Sequence, residues 1–153
     1  MSKKAKTENP LNADDEIVLK DIELLACAHE AIADQDTAPI HFNFDVQIEM
    51  QADLPMNLLI VIVRVLINNE QQTKTLGKIA VSYSFEVHDL KDKVEENAQK
   101  KPQLAQQMSD TVNSIALATT RGLMFANFKG TALHHAYLPV ISQRQFKNTS
   151  ILV

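Results

Sequence analysis

The stretch that most constrains this chain is one in which Ile40, Phe42, Phe44, Val46, Ile48 and Met50 alternate with His41, Asn43, Asp45, Gln47, Glu49 and Gln51. Strand side chains point alternately to opposite faces, whereas a helix scatters such a set around its circumference. The segment therefore predicts a strand with one wet face. The next run, Asn57 to Asn69, is nearly apolar on both faces and broken in its middle only by Arg64, which predicts a central strand covered on both sides. A third alternation sets Ile79, Val81, Tyr83, Phe85 and Val87 against Lys78, Ala80, Ser82, Ser84, Glu86 and His88. Only short polar connections, around Asp53 to Pro55 and from Asn68 to Thr75, join these runs. Parallel pairing needs a crossover of about a dozen residues or more, so an antiparallel meander is expected. In Ile17 to Ala28 the apolar residues Ile17, Leu19, Ile22, Leu24, Leu25 and Ala26 fit neither a two-residue nor a helical repeat. A strand is expected there, with a helix left open as the alternative; as a strand it brings the sheet from three strands to four.

Beyond the sheet, Lys91 to Gln103 opens with Lys91, Asp92, Lys93, Glu95 and Glu96 and has few apolar residues. A solvated, mobile and partly helical connection is expected. Pro102 then suits the first turn of a helix whose stripe is Leu104, Met108, Val112, Ile115, Ala118, Gly122 and Phe125. Gly130 is placed to end it in the left-handed conformation, giving roughly 25 residues against a mean of about 12. The tail from Ala132 to Val153 carries an apolar patch, Tyr137 to Ile141, around Pro139. Proline there disfavours a central strand, and an extended packing segment is expected. The fold class is α+β: an antiparallel sheet of three to four strands with one long C-terminal helix on one face. Residues 1–15 are polar and charged and are expected to form a flexible arm ahead of a single domain, 16–153.

Composition narrows the function classes. A net charge of −4 with scattered basic residues argues against a nucleic-acid partner, which needs clustered Lys and Arg. No apolar run is long and charge-free enough to span a bilayer. The cluster Lys3, Lys4 and Lys6 is not followed by an apolar segment, so it does not read as a secretory signal, and the cytoplasm is expected. The lone Cys27 agrees with a reducing compartment and is expected to be a small buried residue.

Catalytic readings find little footing. Of the five histidines, His29, His41, His88, His134 and His135, none stands in a His-x-x-x-His or Glu-x-x-His spacing, so no metal is expected. Three glycines, Gly77, Gly122 and Gly130, make no phosphate loop, and there is no Gly-x-Ser-x-Gly motif. Arg64 and Arg121, on otherwise apolar faces, are expected to be buried and paired with a carboxylate such as Asp45, Glu49 or Glu86. No cofactor and no enzymatic activity are expected.

The order of strand, hairpin, strand, loop, long helix and Pro-containing tail resembles the SecB family of protein-export chaperones over about residues 17 to 146. Lys20-Asp21-Ile22 resembles a Lys-Asp-Ile in that family's first strand, and Arg121 resembles an arginine inside its long helix. Gly130-Thr131, followed by Pro139-Val140, resembles the helix end and tail. Arg121-Gly122 and Tyr137-Leu138-Pro139-Val140-Ile141 look closer to the divergent SecB-like branch, some of whose members serve toxin-antitoxin systems. The resemblance implies a cytoplasmic, ATP-independent holdase that binds unfolded or pre-export polypeptides, with SecA or an antitoxin as further partner. It also implies a homotetramer built as a pair of dimers. Asp21 and Glu23 are candidates for an acidic docking surface. The ending Thr149-Ser150-Ile151-Leu152-Val153 departs from the acidic tail of the typical export protein, which puts SecA docking in doubt.

A holdase needs long apolar grooves lined by adaptable or aromatic side chains. The candidates are Phe42, Phe44, Met50, Tyr83, Phe85, Met124, Phe125 and Phe128. Each of these is also an ordinary core candidate. The two-sided apolar strand exceeds what one amphipathic helix covers, so self-association is expected. The alternative class is an adaptor that uses the same fold to bind one folded partner, without affinity for unfolded chains.

Overall fold

The computed structural model describes residues 17–31, 41–142 and 151–153. The expected arm, 1–15, and Ile40 lie outside the described residues. Seven strands and one long helix follow the chain: β1 (Ile17–His29), β2 (Phe42–Asp53), β3 (Leu58–Asn69), β4 (Thr75–Val87), a 3-10 turn (Leu90–Lys93), β5 (Val94–Glu96), β6 (Pro102–Leu104), α1 (Gln106–Phe128) and β7 (Ile151–Leu152). The main sheet runs β1-β4-β3-β2-β7, antiparallel throughout except for the short parallel pair β2–β7. A separate two-stranded ribbon pairs β5 with β6.

The register shows how the alternations become a layer. Even residues of β2 (Phe44, Val46, Ile48, Met50) stand opposite Ile67, Val65, Val63 and Val61 of β3. Those pair in turn with Gly77, Ile79, Val81 and Tyr83 of β4. This shared face carries α1 and is the core: Leu59, Val61, Val63, Val65, Ile67, Ile79, Val81, Tyr83 and Phe85 are buried against Met108, Val112, Ala116, Leu117, Met124 and Phe128. Both hairpins have turn chemistry suited to them. Asn57 takes a left-handed φ of 52° after β2, a conformation Asn tolerates better than most residues. Asn69 accepts from the Thr73 and Lys74 amides at 2.9 and 3.0 Å in the β3–β4 turn.

β1 explains its own irregular sequence. Its register against β4 slips between Leu19 and Asp21 and again between Leu24 and Ala26. Two bulges therefore leave Lys20 and Leu25 as extra residues. With them counted out, Ile17, Leu19, Ile22, Leu24, Cys27 and His29 all stand opposite core-face residues of β4. The two-residue repeat was present but twice displaced.

Several expectations are corrected. β3 is covered on one face by this chain; on the other, Leu58, Ile60, Ile62 and Leu66 are half-buried. The connection 91–103 is a 3-10 turn followed by the β5–β6 ribbon, and Pro102 opens β6, not the helix. Proline's missing amide is tolerated at the start of an edge strand. The helix begins at Gln106 and has 23 residues. Its buried stripe is Met108, Val112, Ala116, Thr120, Met124 and Phe128, joined by Asn113 and Leu117, whereas Ala118, Gly122 and Phe125 are exposed. A run of i+4 steps drifts around the axis, so the buried stripe is not the straight three-and-four track expected. Gly130 ends the helix with φ 77°, as expected. The tail after it turns back, burying Leu133, Ala136 and Leu138.

Candidate functional site

Among the described residues, no three His, Cys, Asp or Glu side chains gather where a metal ion would bind. No helix among them is long and apolar enough to cross a membrane. The features that stand out are apolar side chains left in solvent and sheet edges left open.

The first lies along β1. Among the described residues this strand pairs only with β4, and its other edge has no main-chain partner in the sheet. Val18, Leu19, Ile22, Leu24 and Leu25 are between 37% and 46% exposed. Leu19, Ile22 and Leu24 point to the same face as the core, but α1 packs over β3 and β4 and leaves them uncovered. Sequence reading passed over these residues because the bulges hide their common face. Asp21 and Glu23 pair with Ser84 and Ser82 and so share the opposite, open face of the sheet. Both are exposed there, near the Lys20–Glu86 ion pair at 3.1 Å.

A second feature is an aromatic corner where the tail meets the helix. Arg121 donates from Nε to the Leu138 carbonyl and from Nη2 to the Pro139 carbonyl, at 2.6 and 3.0 Å. These bonds fix the returning tail beside the helix, and Arg121 thus meets backbone carbonyls where a carboxylate was expected. They bring Tyr137 over Phe125 as a stacked pair, centroids 6.4 Å apart, with His134 5.8 Å from Phe125. Phe125 and Tyr137 are each about half exposed. Arg64 does pair with Glu49, at 2.8 Å, but on the surface, not in the core. The hydrogen bonds from Gln51 and Arg64 hold the Glu49 carboxyl below its ordinary value. Cys27 is exposed, contrary to the burial expected of it, because it sits on the edge strand. Partial burial against the sheet pushes its thiol up, which does not favour the reactive thiolate.

The eight client-binding candidates divide by burial. Met50, Tyr83, Phe85, Met124 and Phe128 are core residues of this chain, Phe42 and Phe44 are half-buried on β2, and Phe125 is exposed at the aromatic corner. The third feature is the outer edge of β2, which among the described residues is paired only at Met50 and Gln51, by β7.

Superposition on solved structures finds the Mycobacterium tuberculosis Rv1957 SecB-like chaperone, in complex with a ChAD peptide from the Rv1956 HigA1 antitoxin. The TM-score is 0.56 at 18% identity, over 86% of this chain and 94% of that one. The fold is SecB-like. A protein of unknown function from Streptococcus agalactiae superposes more loosely, with a TM-score of 0.35 at 7% identity over 83% of this chain and 98% of that one, too distant to bear on the fold. No family model and no curated protein matches the sequence. The SecB-like resemblance drawn from the order of elements is therefore met by the architecture, while its short motifs are too sparse to register as sequence similarity.

Proposed function

We propose that this protein is an ATP-independent holdase chaperone that retains extended segments of unfolded chains on apolar surface and catalyses no reaction. The observation that carries this is the large amount of aliphatic and aromatic side chain left in solvent on a SecB-like fold: five residues along β1, and Phe125 with Tyr137 at the corner. Scattered exposed apolar residues are ordinary, but a contiguous set along one strand marks a surface meant for another chain. The SecB-like structure it superposes on holds a peptide of an antitoxin, which supports the dedicated form of this reading, with an antitoxin as client. Export delivery is the other form, for which Asp21 and Glu23 on the open face offer an acidic surface toward SecA. A second copy joining its main chain to the outer edge of β1, with the exposed side chains on the faces of the strand left to clients, supplies the self-association, and doubling such a dimer gives the tetramer. The protein acts in the cytoplasm as one domain.

The decisive experiment adds the purified protein to a chemically unfolded client without nucleotide, following turbidity while light scattering reports the chaperone's own mass. Suppression of aggregation near equimolar oligomer is expected. A monomer without effect on any of several clients would remove the holdase reading and leave a module that binds one folded partner.

A further inference from the structure

β2 gives its inner edge to β3 along its whole length, Phe42 to Asp53. Its outer edge pairs only twice among the described residues: Met50 with Ile151 and Gln51 with Leu152, in parallel. That clasp is very short against strands that average about 5–6 residues. Yet it is specific on one side. Ile151 is 3% exposed and joins the core beside Met50, while Leu152 and Val153 are 62% and 66% exposed. The β6 strand touches β7, so the β5–β6 ribbon walls the place where Ile151 sits. Immediately beyond lies a cleft of about 280 Å³ lined by Leu54, Val94, Pro102 and Val153, with Lys91, Glu95 and Glu96 also contributing.

Adding a strand to a sheet edge joins main chain to main chain whatever the sequence, while alternate side chains select which segment fits. Here residue i enters at Met50, residue i+1 faces out, and residue i+2 borders the cleft. We propose that the outer edge of β2 is a strand-addition site for extended client segments bearing aliphatic side chains at i and i+2. Ile151–Val153 is a resident stand-in that must leave before a client pairs. This deepens the holdase reading and rests on it. A client strand running along β2 past the two residues now paired would reach the half-buried Phe42 and Phe44, whose side chains share the Met50 face. The tail thus keeps an aliphatic pocket filled and an edge partly closed while no client is present, which limits edge-to-edge association.

The test uses three forms of the whole chain: unaltered, ending at Ser150, and carrying Ile151→Glu, which keeps the length but cannot seat a charge beside Met50. The probes are a permanently unfolded client, and a peptide copying residues 145–153 offered with and without the same Ile-to-Glu change. Circular dichroism first establishes that the three forms share one fold. The peptide is expected to bind one to one to the chain ending at Ser150 and to slow amide exchange in β2 around Met50, and the changed peptide is expected not to. Because the apparent Kd is the intrinsic one divided by the fraction of molecules whose edge is open, both altered chains should hold the unfolded client about tenfold more tightly than the unaltered one. Equal client affinity in all three forms, with no peptide binding, overturns this proposal and leaves the holdase reading standing. No client bound by any form overturns both.

Discussion

Among the described residues Tyr83 is the largest fully buried side chain, and it brings a hydroxyl into a core that also holds Asn113 and Thr120. Its hydroxyl lies 2.6 Å from Thr120 Oγ1, which spends its own proton on the Ala116 carbonyl at 2.8 Å. Tyr83 is therefore the donor and Thr120 the acceptor, which ties the middle of β4 to the middle of α1. Burial pushes the Tyr83 hydroxyl up, against a smaller opposite effect of the Thr120 bond, so it stays protonated. The two deletions should be unequal. Tyr83→Phe removes a donor and leaves Thr120 bonded, costing about 1 kcal/mol, while Thr120→Val strands a buried hydroxyl and costs about 1–3 kcal/mol. Urea unfolding of both variants and of the double variant checks this, with the double variant costing less than the sum. A larger loss in Tyr83→Phe would reverse the donor assignment. Neither partner was legible as a pair in the sequence, where Tyr83 is one more alternating apolar residue and Thr120 a polar one on a helix. Arg121 was legible as important but not in its role, because the carbonyls it binds belong to a tail 17 and 18 residues further on.

At the level of elements, the tail is locked to the sheet at a glycine. A Cβ at Gly77 would collide with the Leu133 side chain and stand 3.1 Å from the Ala28 carbonyl oxygen. Leu133 is buried, so the helix–tail connection docks directly on the start of β4, beside the end of β1. Gly77→Ala should cost about 1–3 kcal/mol through overpacking. In the double variant with Leu133→Ala, the glycine substitution should add little further loss, since the obstacle is gone. Thermal unfolding of the set measures it, and full additivity would mean that the Ala28 backbone, not Leu133, sets the limit. The strands β2, β3 and β4 were readable, β2 and β4 from an unbroken two-residue repeat and β3 from an apolar run rich in Val, Ile and Leu between short polar turns. β1 was not, because each bulge moves the repeat by one residue, which sends the following side chains to the other face. The β5–β6 ribbon was unreadable for a different reason. Three-residue strands have too few positions to show any period, and the two glutamates of β5 and the proline that opens β6 read as a loop.

For the whole molecule, the unfinished surface is β1. A strand with a free edge and exposed aliphatic residues on both faces invites another chain, and a second copy offers the same edge in antiparallel, two-fold fashion. Ile22→Lys with Leu24→Lys should lower the mass seen by light scattering by at least half, with far-UV circular dichroism unchanged. An unaltered mass would place the contact elsewhere. The opposite edge, β2, has a short clasp of the chain's own making, so the copy proposed for β1 and the tail on β2 are two different means of closing the edges of one sheet.

The sequence by itself determined the antiparallel meander, the long helix and its glycine stop, because those rest on local periods and turn chemistry that each segment carries within itself. Tertiary structure alone decided which apolar residues became core and which stayed in solvent. Phe125 and Phe128 sit three residues apart on one helix, yet the sheet covers one and the tail leaves the other half exposed. Ile151 looks like any terminal aliphatic residue until β2 and the β5–β6 ribbon enclose it. Burial is a property of what lies opposite a side chain, and for both residues that partner is distant in sequence.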